Sequence, residues 1–439
     1  MTTRQDCLAL DAADPLAPLK HQFSLPAGTL YLDGNSLGAM PKATAARVQQ
    51  VIADEWGRDL IKSWNTAGWI DLPARIGDKI GRLIGAAPGE TIVADSTSLN
   101  LYKVLSAALR IVRTDDAGSA SPGRRTVIVS ERSNFPTDLY IAESLAEQHG
   151  MSLHLVDDVA EIPALLDDRL AVLMLTEVNY RTGRKHDMKA VTAAAHAAGA
   201  LTVWDLAHSA GAIPVDLNGA DADFAIGCGY KYLNGGPGAP AFVWAHPRHA
   251  DRFWQPLSGW LGHAAPFQFS SNYAPAAGIK RYICGTPAIL STAALECGVD
   301  TLLAAEPFGG MAALREKSIA LTELFARLAE ERCGDQGVYV VSPRDAASRG
   351  SQVCLALKAP LHETAGYAVV QALIERGVIG DFRAGDPSRL DEVPHILRFG
   401  FTPLYVGFAD AWDAVEHLHQ VLAAGEWREA RFNRKAAVT

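Results

Sequence analysis

The stretch that decides the fold runs from Asp223 to Pro240 and reads DFAIGCGYKYLNGGPGAP. An apolar segment, 224–226, leads to a glycine-flanked pair, Tyr230 and Lys231, and then to a turn rich in glycine. Lysine is seldom placed at the end of a buried strand, because an unpaired ammonium group is costly to bury. Such a lysine is typical of enzymes that use an amine covalently, although a lysine whose ammonium group reaches solvent fits this stretch equally well.

Length and composition limit the protein class. A chain of 439 residues exceeds the usual size of one hydrophobic core, so we expect two domains. A hydrophobic content of 49% with 20% charged residues excludes a largely disordered chain. The net charge of −9 gives no electrostatic footprint for a nucleic acid or an anionic membrane, and we expect neither as a partner.

The cysteines and the N-terminus predict a cellular compartment. The six cysteines are scattered and show no metal-ligand spacing, so no metal site is expected. The first residues, MTTRQDCLALD, contain no apolar signal region, and no apolar run approaches the length of a membrane span. We therefore expect a reduced, cytoplasmic protein.

Upstream of the opening stretch, apolar strands alternate with helices. The predicted strands are 126–130, 152–156, 170–176 and 201–205, and the predicted helices are 136–149, 159–166 and 188–199. This alternation indicates an α/β fold with a mostly parallel sheet covered by helices on both faces. Ligands of such folds bind at the carboxyl ends of the strands, where the sequence has Thr176, Asp205, His208, Tyr230 and Lys231.

Beyond residue 306 the pattern changes to a long helix followed by short strands and two further helices. This pattern predicts a smaller α+β domain. We divide the chain into an N-terminal arm and helix (1–60), a large domain (61–305) and a small C-terminal domain (306–439).

Two motifs admit both a structural and a chemical interpretation. Thr97 and Ser98 precede an amphipathic run at 101–111, so they either cap a helix or contribute to an anion site at its start, and capping alone is the more common case. Asp205 with His208 is either a helix cap with a core histidine or the partner of a protonated pyridine ring, which a carboxylate keeps charged.

The pattern of strand, Asp, His and Lys resembles the fold type I pyridoxal-phosphate (PLP) enzymes of the aminotransferase class V group. Within that group the chain most resembles the kynureninase family along its whole length. The matching blocks, in chain order, are YLDGNSLG at 31–38, SNFPTD at 133–138, WDLAHSAG at 204–211, YKYLNGGPG at 230–238 and SGWLGH at 258–263.

The resemblance implies a role for each matching residue. Lys231 is expected to form the Schiff base with PLP and to move protons, with Tyr230 as an acid or base and Asp205 at the pyridine nitrogen. The residues implied in cofactor binding are Thr97, Ser98, Phe135, Asp138, Thr176, Asp205, His208, Tyr230, Lys231, Trp260 and Thr286. Those implied in substrate binding are Asn35, Trp64, Gly285 and Arg398. Arginine matches a carboxylate by a bidentate fork, although Arg398 could instead be half of a structural ion pair.

The resemblance also implies a reaction and an assembly. The family cleaves L-kynurenine by hydrolysis to anthranilate and L-alanine, as a step of tryptophan catabolism and of NAD biosynthesis. Trp64, Gly285 and Thr286 match the bacterial type, which favours kynurenine over 3-hydroxykynurenine. A homodimer is implied, with Trp260 and Thr286 reaching the partner's active site. A class V aminotransferase or a cysteine desulfurase is the alternative, and a desulfurase needs a cysteine on a mobile loop.

Overall fold

The computed structural model describes residues 2–118, 123–252 and 255–434. The described chain forms two compact units. Unit 1 comprises the described parts of Met1–Ala43, Arg181–Lys185 and Thr301–Thr439, and unit 2 comprises those of Thr44–Tyr180 and His186–Asp300. The domain boundaries predicted after residues 60 and 305 remain predictions.

The helices and strands are numbered along the chain. The α-helices are α1 Arg4–Ala13, α2 Lys42–Gln50, α3 Ser63–Thr66, α4 Leu72–Leu83, α5 Thr97–Ala117, α6 Pro136–His149, α7 Ile162–Leu165, α8 Met188–Ala197, α9 Pro247–Ala250, α10 Ile289–Leu303, α11 Gly310–Cys333, α12 Ala365–Glu375 and α13 Phe408–Ala424. The strands are β1 Phe23–Ser24, β2 Leu30–Tyr31, β3 Met40–Pro41, β4 Thr91–Ala94, β5 Val127–Glu131, β6 Ser152–Val156, β7 Leu170–Thr176, β8 Leu201–Asp205, β9 Phe224–Gly227, β10 Ala241–Ala245, β11 Val338–Val340, β12 Gln352–Leu357, β13 Val378–Ile379, β14 Asp381–Arg383 and β15 Ile396–Gly400. None of the described helices is long and apolar enough to cross a membrane.

Unit 2 is built on a seven-stranded sheet with the order β4-β10-β9-β8-β7-β5-β6. Five neighbouring strands of this order, β9, β8, β7, β5 and β6, run parallel to one another. Strand β10 is antiparallel to both of its neighbours, β9 and β4. Strand β7 is buried along its whole length, as expected for a central strand of a covered parallel sheet. Helices α5, α6 and α8 pack against these strands. The carboxyl ends of β7, β8 and β9 consequently meet at one edge.

The turn after β9 carries Tyr230 and Lys231, and its backbone is closely packed. Gly229 has no room for a side chain, because a Cβ there would meet the Pro240 carbonyl oxygen and the Leu295 side chain. The following turn uses left-handed backbone at Asn234, Gly236 and Gly238, with φ values of 55°, 82° and 75°. Glycine adopts this conformation readily, which explains its density in the opening stretch.

Unit 1 contains a four-stranded antiparallel sheet with the order β11-β12-β15-β14. Helices α11 and α12 pack against strands of this sheet, and α13 packs against α1, α11 and α12. Strand β2 pairs in parallel with β13. The α+β character predicted for the C-terminal region is confirmed, and the N-terminal helix and strand belong to the same unit.

Most of the predicted elements occur in the structure. Strand β10, AFVWA, was not predicted. The helix predicted within the N-terminal segment 1–60 begins as the α-helix α2 and continues as a π-helix from Val51 to Trp56. Two of the short strands beyond residue 306, β13 and β14, are separated by Gly380, at which a Cβ would collide with the Phe399 ring.

Candidate active site

One cleft in unit 2 gathers most of the predicted residues. Nine of them line it together, namely Thr97, Ser98, Phe135, Asp138, Thr176, Asp205, His208, Tyr230 and Lys231. They come from the start of α5, the start of α6 and the ends of β7, β8 and β9. The cleft therefore lies where the strand-end rule predicts a ligand site.

The start of helix α5 forms one wall of the cleft. Ser96 is the N-cap, and its hydroxyl oxygen accepts a hydrogen bond from the Leu99 amide at 3.3 Å. Thr97 and Ser98 are the first two residues of the helix, where backbone N–H groups have no partner within a helix. These N–H groups, the two hydroxyls and the helix dipole together provide the donors of an anion site.

Two buried carboxylates, Asp138 and Asp205, lie side by side in the cleft. Burial, reinforced by the charge of Asp205, raises the pKa of Asp138 well above its usual range. Burial also raises the pKa of Asp205, although the positive charge of Lys231 and the Ala207 amide oppose this shift. The Oδ2 atom of Asp138 has no hydrogen-bond partner within the described chain. A cationic ligand group placed against this pair would relieve the repulsion.

Lys231 lines the cleft, and its amine has three neighbours there. Its Nζ is 3.0 Å from His208 Nε2. It also lies 5.7 Å from the centre of the Tyr230 ring and 5.9 Å from that of Phe135. Burial raises the pKa of Tyr230, as do the nearby Cys228 and Asp205, so the phenol holds its proton. The arrangement combines a nucleophilic amine, an imidazole and a proton donor.

An aromatic face completes the cleft. Phe135 precedes α6, and its ring meets that of Tyr180 edge to face, with centroids 5.5 Å apart. The neighbouring Asn134 accepts hydrogen bonds from the Phe135 amide at 2.6 Å and from the Thr176 hydroxyl. Phe135 is 45% exposed, so its ring can cover a flat ligand.

These groups fit PLP. The cofactor carries a phosphate, a flat ring with a protonatable nitrogen, and an aldehyde. The chain offers an anion site at α5, an aromatic face at Phe135, the carboxylates Asp138 and Asp205, and the amine of Lys231. Asp138 Oδ2, which receives no hydrogen bond from a donor among the described residues, is consistent with an additional donor in the cleft.

Four predicted residues of unit 2 lie outside this cleft. Gly285 and Thr286 line a neighbouring pocket that shares Ser96 and Tyr230 with it. Trp260 is 37% exposed, and Trp64 packs edge to face against Trp69 with ring centroids 6.0 Å apart. Neither tryptophan is among the described residues that line the two pockets.

Arg398 and Asn35 belong to unit 1. The Arg398 guanidinium is buried on β15, and its Nε donates to Asp381 Oδ1 at 2.8 Å while its Nη2 donates to Ser36 Oγ at 2.8 Å. Burial opposes ionisation of Asp381, but the charge and hydrogen bonds of Arg398 outweigh it and lower the Asp381 pKa. The ion pair considered as the alternative for Arg398 is therefore present. Asn35 is fully buried, and its amide atoms have no hydrogen-bond partner in the described chain.

Several lining residues were not predicted as site residues, among them Ser96, Thr137, Tyr180 and Cys228. Cys228 lies two residues before Tyr230 in the opening stretch, so its position at the end of β9 could have predicted that it lines the cleft. Tyr180 follows the strand end at Thr176 by four residues and could have been found by extending the strand-end rule into the loop.

Comparison with known proteins decides the family. A family model described as the kynureninase C-terminal domain matches residues 314–418. A protein from Pseudomonas fluorescens named kynureninase is 55% identical over 441 residues, which cover all of both chains. One from Burkholderia pseudomallei (strain 1106a) with the same name is equally similar over the full length. The chain belongs to the kynureninase family. The predicted family, its PLP cofactor and the enzyme class, a PLP-dependent hydrolase, are thereby confirmed.

Solved structures confirm the fold class. A cysteine desulfurase from Thermococcus onnurineus NA1 has a TM-score of 0.74 at 18% identity, covering 93% of this chain and 98% of its own. A C-DES mutant with glycine covalently linked to its PLP cofactor has a TM-score of 0.72 at 16% identity, covering 92% and 98%. At these identities the likeness shows the fold and leaves the kynureninase assignment unchanged.

The two cysteines of the C-terminal region that a desulfurase could use as sulfur carrier, Cys333 and Cys354, do not fit that role. Cys333 and Cys354 are fully buried in unit 1, in α11 and β12. Burial raises the pKa of Cys333 to about 12 and that of Cys354 to about 11. A sulfur carrier needs an accessible thiolate, which neither residue offers.

Proposed function

We propose that this enzyme cleaves the Cβ–Cγ bond of L-kynurenine with water, giving anthranilate and L-alanine, in the cleft around Lys231. The observation that carries this proposal is that one cleft combines Lys231, the Asp138 and Asp205 pair and the anion site at the start of α5. When bound, PLP supplies an electron sink for the negative charge that develops on the substrate. Side chains of the protein bind the substrate and transfer the protons.

Lys231 is proposed to hold the cofactor covalently and, once released, to move the proton of the substrate α-carbon. Its position supports this role, because Lys231 lines the cleft and its Nζ lies 3.0 Å from the imidazole of His208. A neutral imidazole nitrogen can accept a hydrogen bond from the amine and so orient it towards the substrate. Lys231 and His208 would together provide the mobile base.

Tyr230 is proposed as the acid. Water adds to the γ-carbonyl carbon of kynurenine, and breaking the Cβ–Cγ bond leaves the bonding electron pair on Cβ, which must gain a proton. Burial raises the pKa of Tyr230, so the phenol carries a proton to donate at neutral pH.

Asp205 is proposed to keep the cofactor nitrogen protonated, with Asp138 beside it. The buried pair supports this assignment, since burial and mutual repulsion raise the pKa of Asp138 and a pyridinium would stabilise the charged form of both groups. Thr97 and Ser98 would hold the phosphate, Phe135 would cover the ring, and Thr176 would contact it.

Arg398 is proposed to bind the substrate carboxylate, and Asn35 to contact the substrate. Support for Arg398 comes from its match to the family motif and from guanidinium–carboxylate chemistry. Its pairing with Asp381 and Ser36 holds the guanidinium plane in one orientation, as preorganised recognition requires. The partnerless amide of Asn35 is a buried donor and acceptor that a polar ligand could satisfy.

A homodimer is proposed in which Trp260 and Thr286 act on the partner's cofactor. Their exposure supports this proposal: Trp260 stacks on Phe269, which is 77% exposed, and Thr286 is also exposed. Trp64, Gly285 and Thr286 are proposed to face the aryl ring and to favour kynurenine over 3-hydroxykynurenine. The unpaired cysteines are consistent with a cytoplasmic location, which we also propose.

The test uses the purified protein saturated with PLP. We expect kynurenine to give anthranilate, followed by its fluorescence, and alanine in equal amount, with a lower kcat/KM for 3-hydroxykynurenine. A protein that shows the visible absorbance of bound cofactor but forms no anthranilate would contradict the reaction. An equal or higher kcat/KM for the hydroxylated substrate would contradict the selectivity alone.

A further inference from the structure

Lys103, a second buried lysine of unit 2, takes no part in the proposed reaction. It lies in α5 and its side chain has no exposed surface. Three oxygens bind its ammonium group: the Asp95 carboxylate, the Tyr282 carbonyl at 2.7 Å and Asn100 Oδ1 at 3.3 Å. Three acceptors for three N–H donors explain how the charge is tolerated inside the protein.

Two of these acceptors belong to the turn that starts α5. Asp95 immediately precedes the N-cap, Ser96, and has a φ of 44°, which is uncommon for a residue other than glycine. The Asn100 side-chain amide donates to the Ala94 carbonyl at 2.7 Å. Lys103 therefore holds the turn between β4 and α5, where Thr97 and Ser98 are proposed to bind phosphate.

The third acceptor belongs to another segment of the chain, 282–286. The Tyr282 carbonyl begins this segment, and Gly285 and Thr286 lie at its end, exposed. The backbone of Cys284 lies close to Gly259, where a Cβ would collide with the Cys284 carbonyl oxygen. The hydrogen bond from Lys103 thus joins the α5 turn directly to the segment that carries two predicted active-site residues.

We propose that Lys103 is a positioning residue that couples the phosphate site at α5 to the placement of Gly285 and Thr286. This inference rests on the proposed function, since the phosphate role of the turn and the aryl role of the segment belong to it. Lys103 touches neither ligand and acts through Asp95, Asn100 and Tyr282. Removing its charge should weaken cofactor binding and alter aryl selectivity together.

The test compares Lys103→Met with wild type and with Lys79→Met. Lys79 is the control for loss of a lysine ion pair as such, because it belongs to the same unit and pairs with two carboxylates of α10, Glu296 and Asp300, while its side chain is 27% exposed. The Kd for PLP, from absorbance titration of the cofactor-free protein, should rise about tenfold in Lys103→Met and stay within about twofold in Lys79→Met. The ratio of kcat/KM for kynurenine over 3-hydroxykynurenine should fall in Lys103→Met only.

A double-mutant cycle separates positioning from general destabilisation. If Lys103 places Thr286, then Thr286→Val should change the selectivity ratio in wild type and leave it unchanged in Lys103→Met. If Lys103→Met does not fold, Asp95→Asn provides the same test with a smaller effect, since the lysine and its other two acceptors remain.

Additive effects in the cycle, or an unchanged PLP Kd in a folded Lys103 or Asp95 variant, would overturn the coupling. Failure of the proposed function looks different, because wild type itself would then bind PLP without forming anthranilate. The PLP titration would still report on the link between Lys103 and the phosphate site.

Discussion

Lys103 and Lys231 are lysines of the same unit whose ammonium groups have different surroundings. Lys103 is fully buried and is bound by three oxygens from two segments of the chain. Lys231 is half-buried, lies between the rings of Phe135 and Tyr230, and contacts the nitrogen of His208. The more deeply buried lysine is the one without a proposed chemical step.

The comparison indicates that the kind of hydrogen-bond partner, more than the degree of burial, distinguishes a reactive lysine amine from a structural one. An amine whose three N–H groups all bind oxygens of the protein cannot give one up without breaking a hydrogen bond that holds the fold. The contact between Lys231 and His208 involves an imidazole, which can either donate or accept and so can adapt when the amine changes. Lys231 can therefore exchange partners, whereas Lys103 holds two segments together.

The largest expected effect comes from removing the Lys231 amine. Lys231→Ala should lower kcat by about a thousandfold or more, because the covalent attachment point and the mobile base are lost together. Lys231→Arg should lose as much, since it restores a cation but not a nucleophilic amine. Anthranilate fluorescence under single-turnover conditions measures both. Substantial turnover in either variant would remove Lys231 from its proposed role.

Tyr230→Phe should have the next largest effect, a loss of about a hundredfold in kcat, because a general acid contributes on this scale. Tyr232→Phe is the matched control, since Tyr232 is buried two residues further along the chain and is not among the described residues lining the cleft. We expect its kcat to stay within about threefold of wild type. Equal losses in the two variants would mean that Tyr230 acts through packing.

Arg398 is a third cation, fully buried, and Arg398→Lys tests its proposed role in binding the substrate carboxylate. We expect KM for kynurenine to rise about tenfold with a smaller change in kcat, because lysine keeps the charge but not the fork. Arg383→Lys is the control, since Arg383 also pairs with Asp381, at 2.6 Å, but is partly exposed. A rise in KM of the same size in both variants would show that the ion pair, and not carboxylate binding, explains the importance of Arg398.

The smallest expected effect is on stability. Burial raises the pKa of Asp138, so between the unfolded and folded pKa values the folded protein binds the extra proton. The cofactor-free protein should therefore lose stability as pH rises from 5 to 8. Asp138→Asn should flatten this dependence and gain about 1 kcal/mol at pH 8. Thermal unfolding at both pH values checks this, and a variant with the slope of wild type would contradict it.

The sequence predicted the site best where a charged residue stands at the end of an apolar strand, because such a residue has few structural explanations. Asp205 at the end of an apolar strand and Lys231 among glycines predicted the edge of the sheet at which the cleft lies. Lys103 was missed because it lies within a helical apolar pattern, in which a single polar residue does not reveal whether it faces solvent. Its acceptor Tyr282 lies far along the chain, and sequence spacing gives no information on such contacts.

Strand β10 was missed for a different reason. Its residues follow Pro240 directly, without the helix that parallel strands need between them, so the alternation used for the other strands did not apply. The place of Phe135, by contrast, followed from its family motif, while its contact with Tyr180 required coordinates.

The most direct test of the central claim locates the cofactor on the chain. The enzyme loaded with PLP is reduced with borohydride, digested and analysed by peptide mass spectrometry, which finds the lysine that carries the reduced cofactor. We expect the label on the peptide that contains Lys231 and none on the peptide that contains Lys103. A label on Lys103, or on any lysine other than Lys231, would contradict the account.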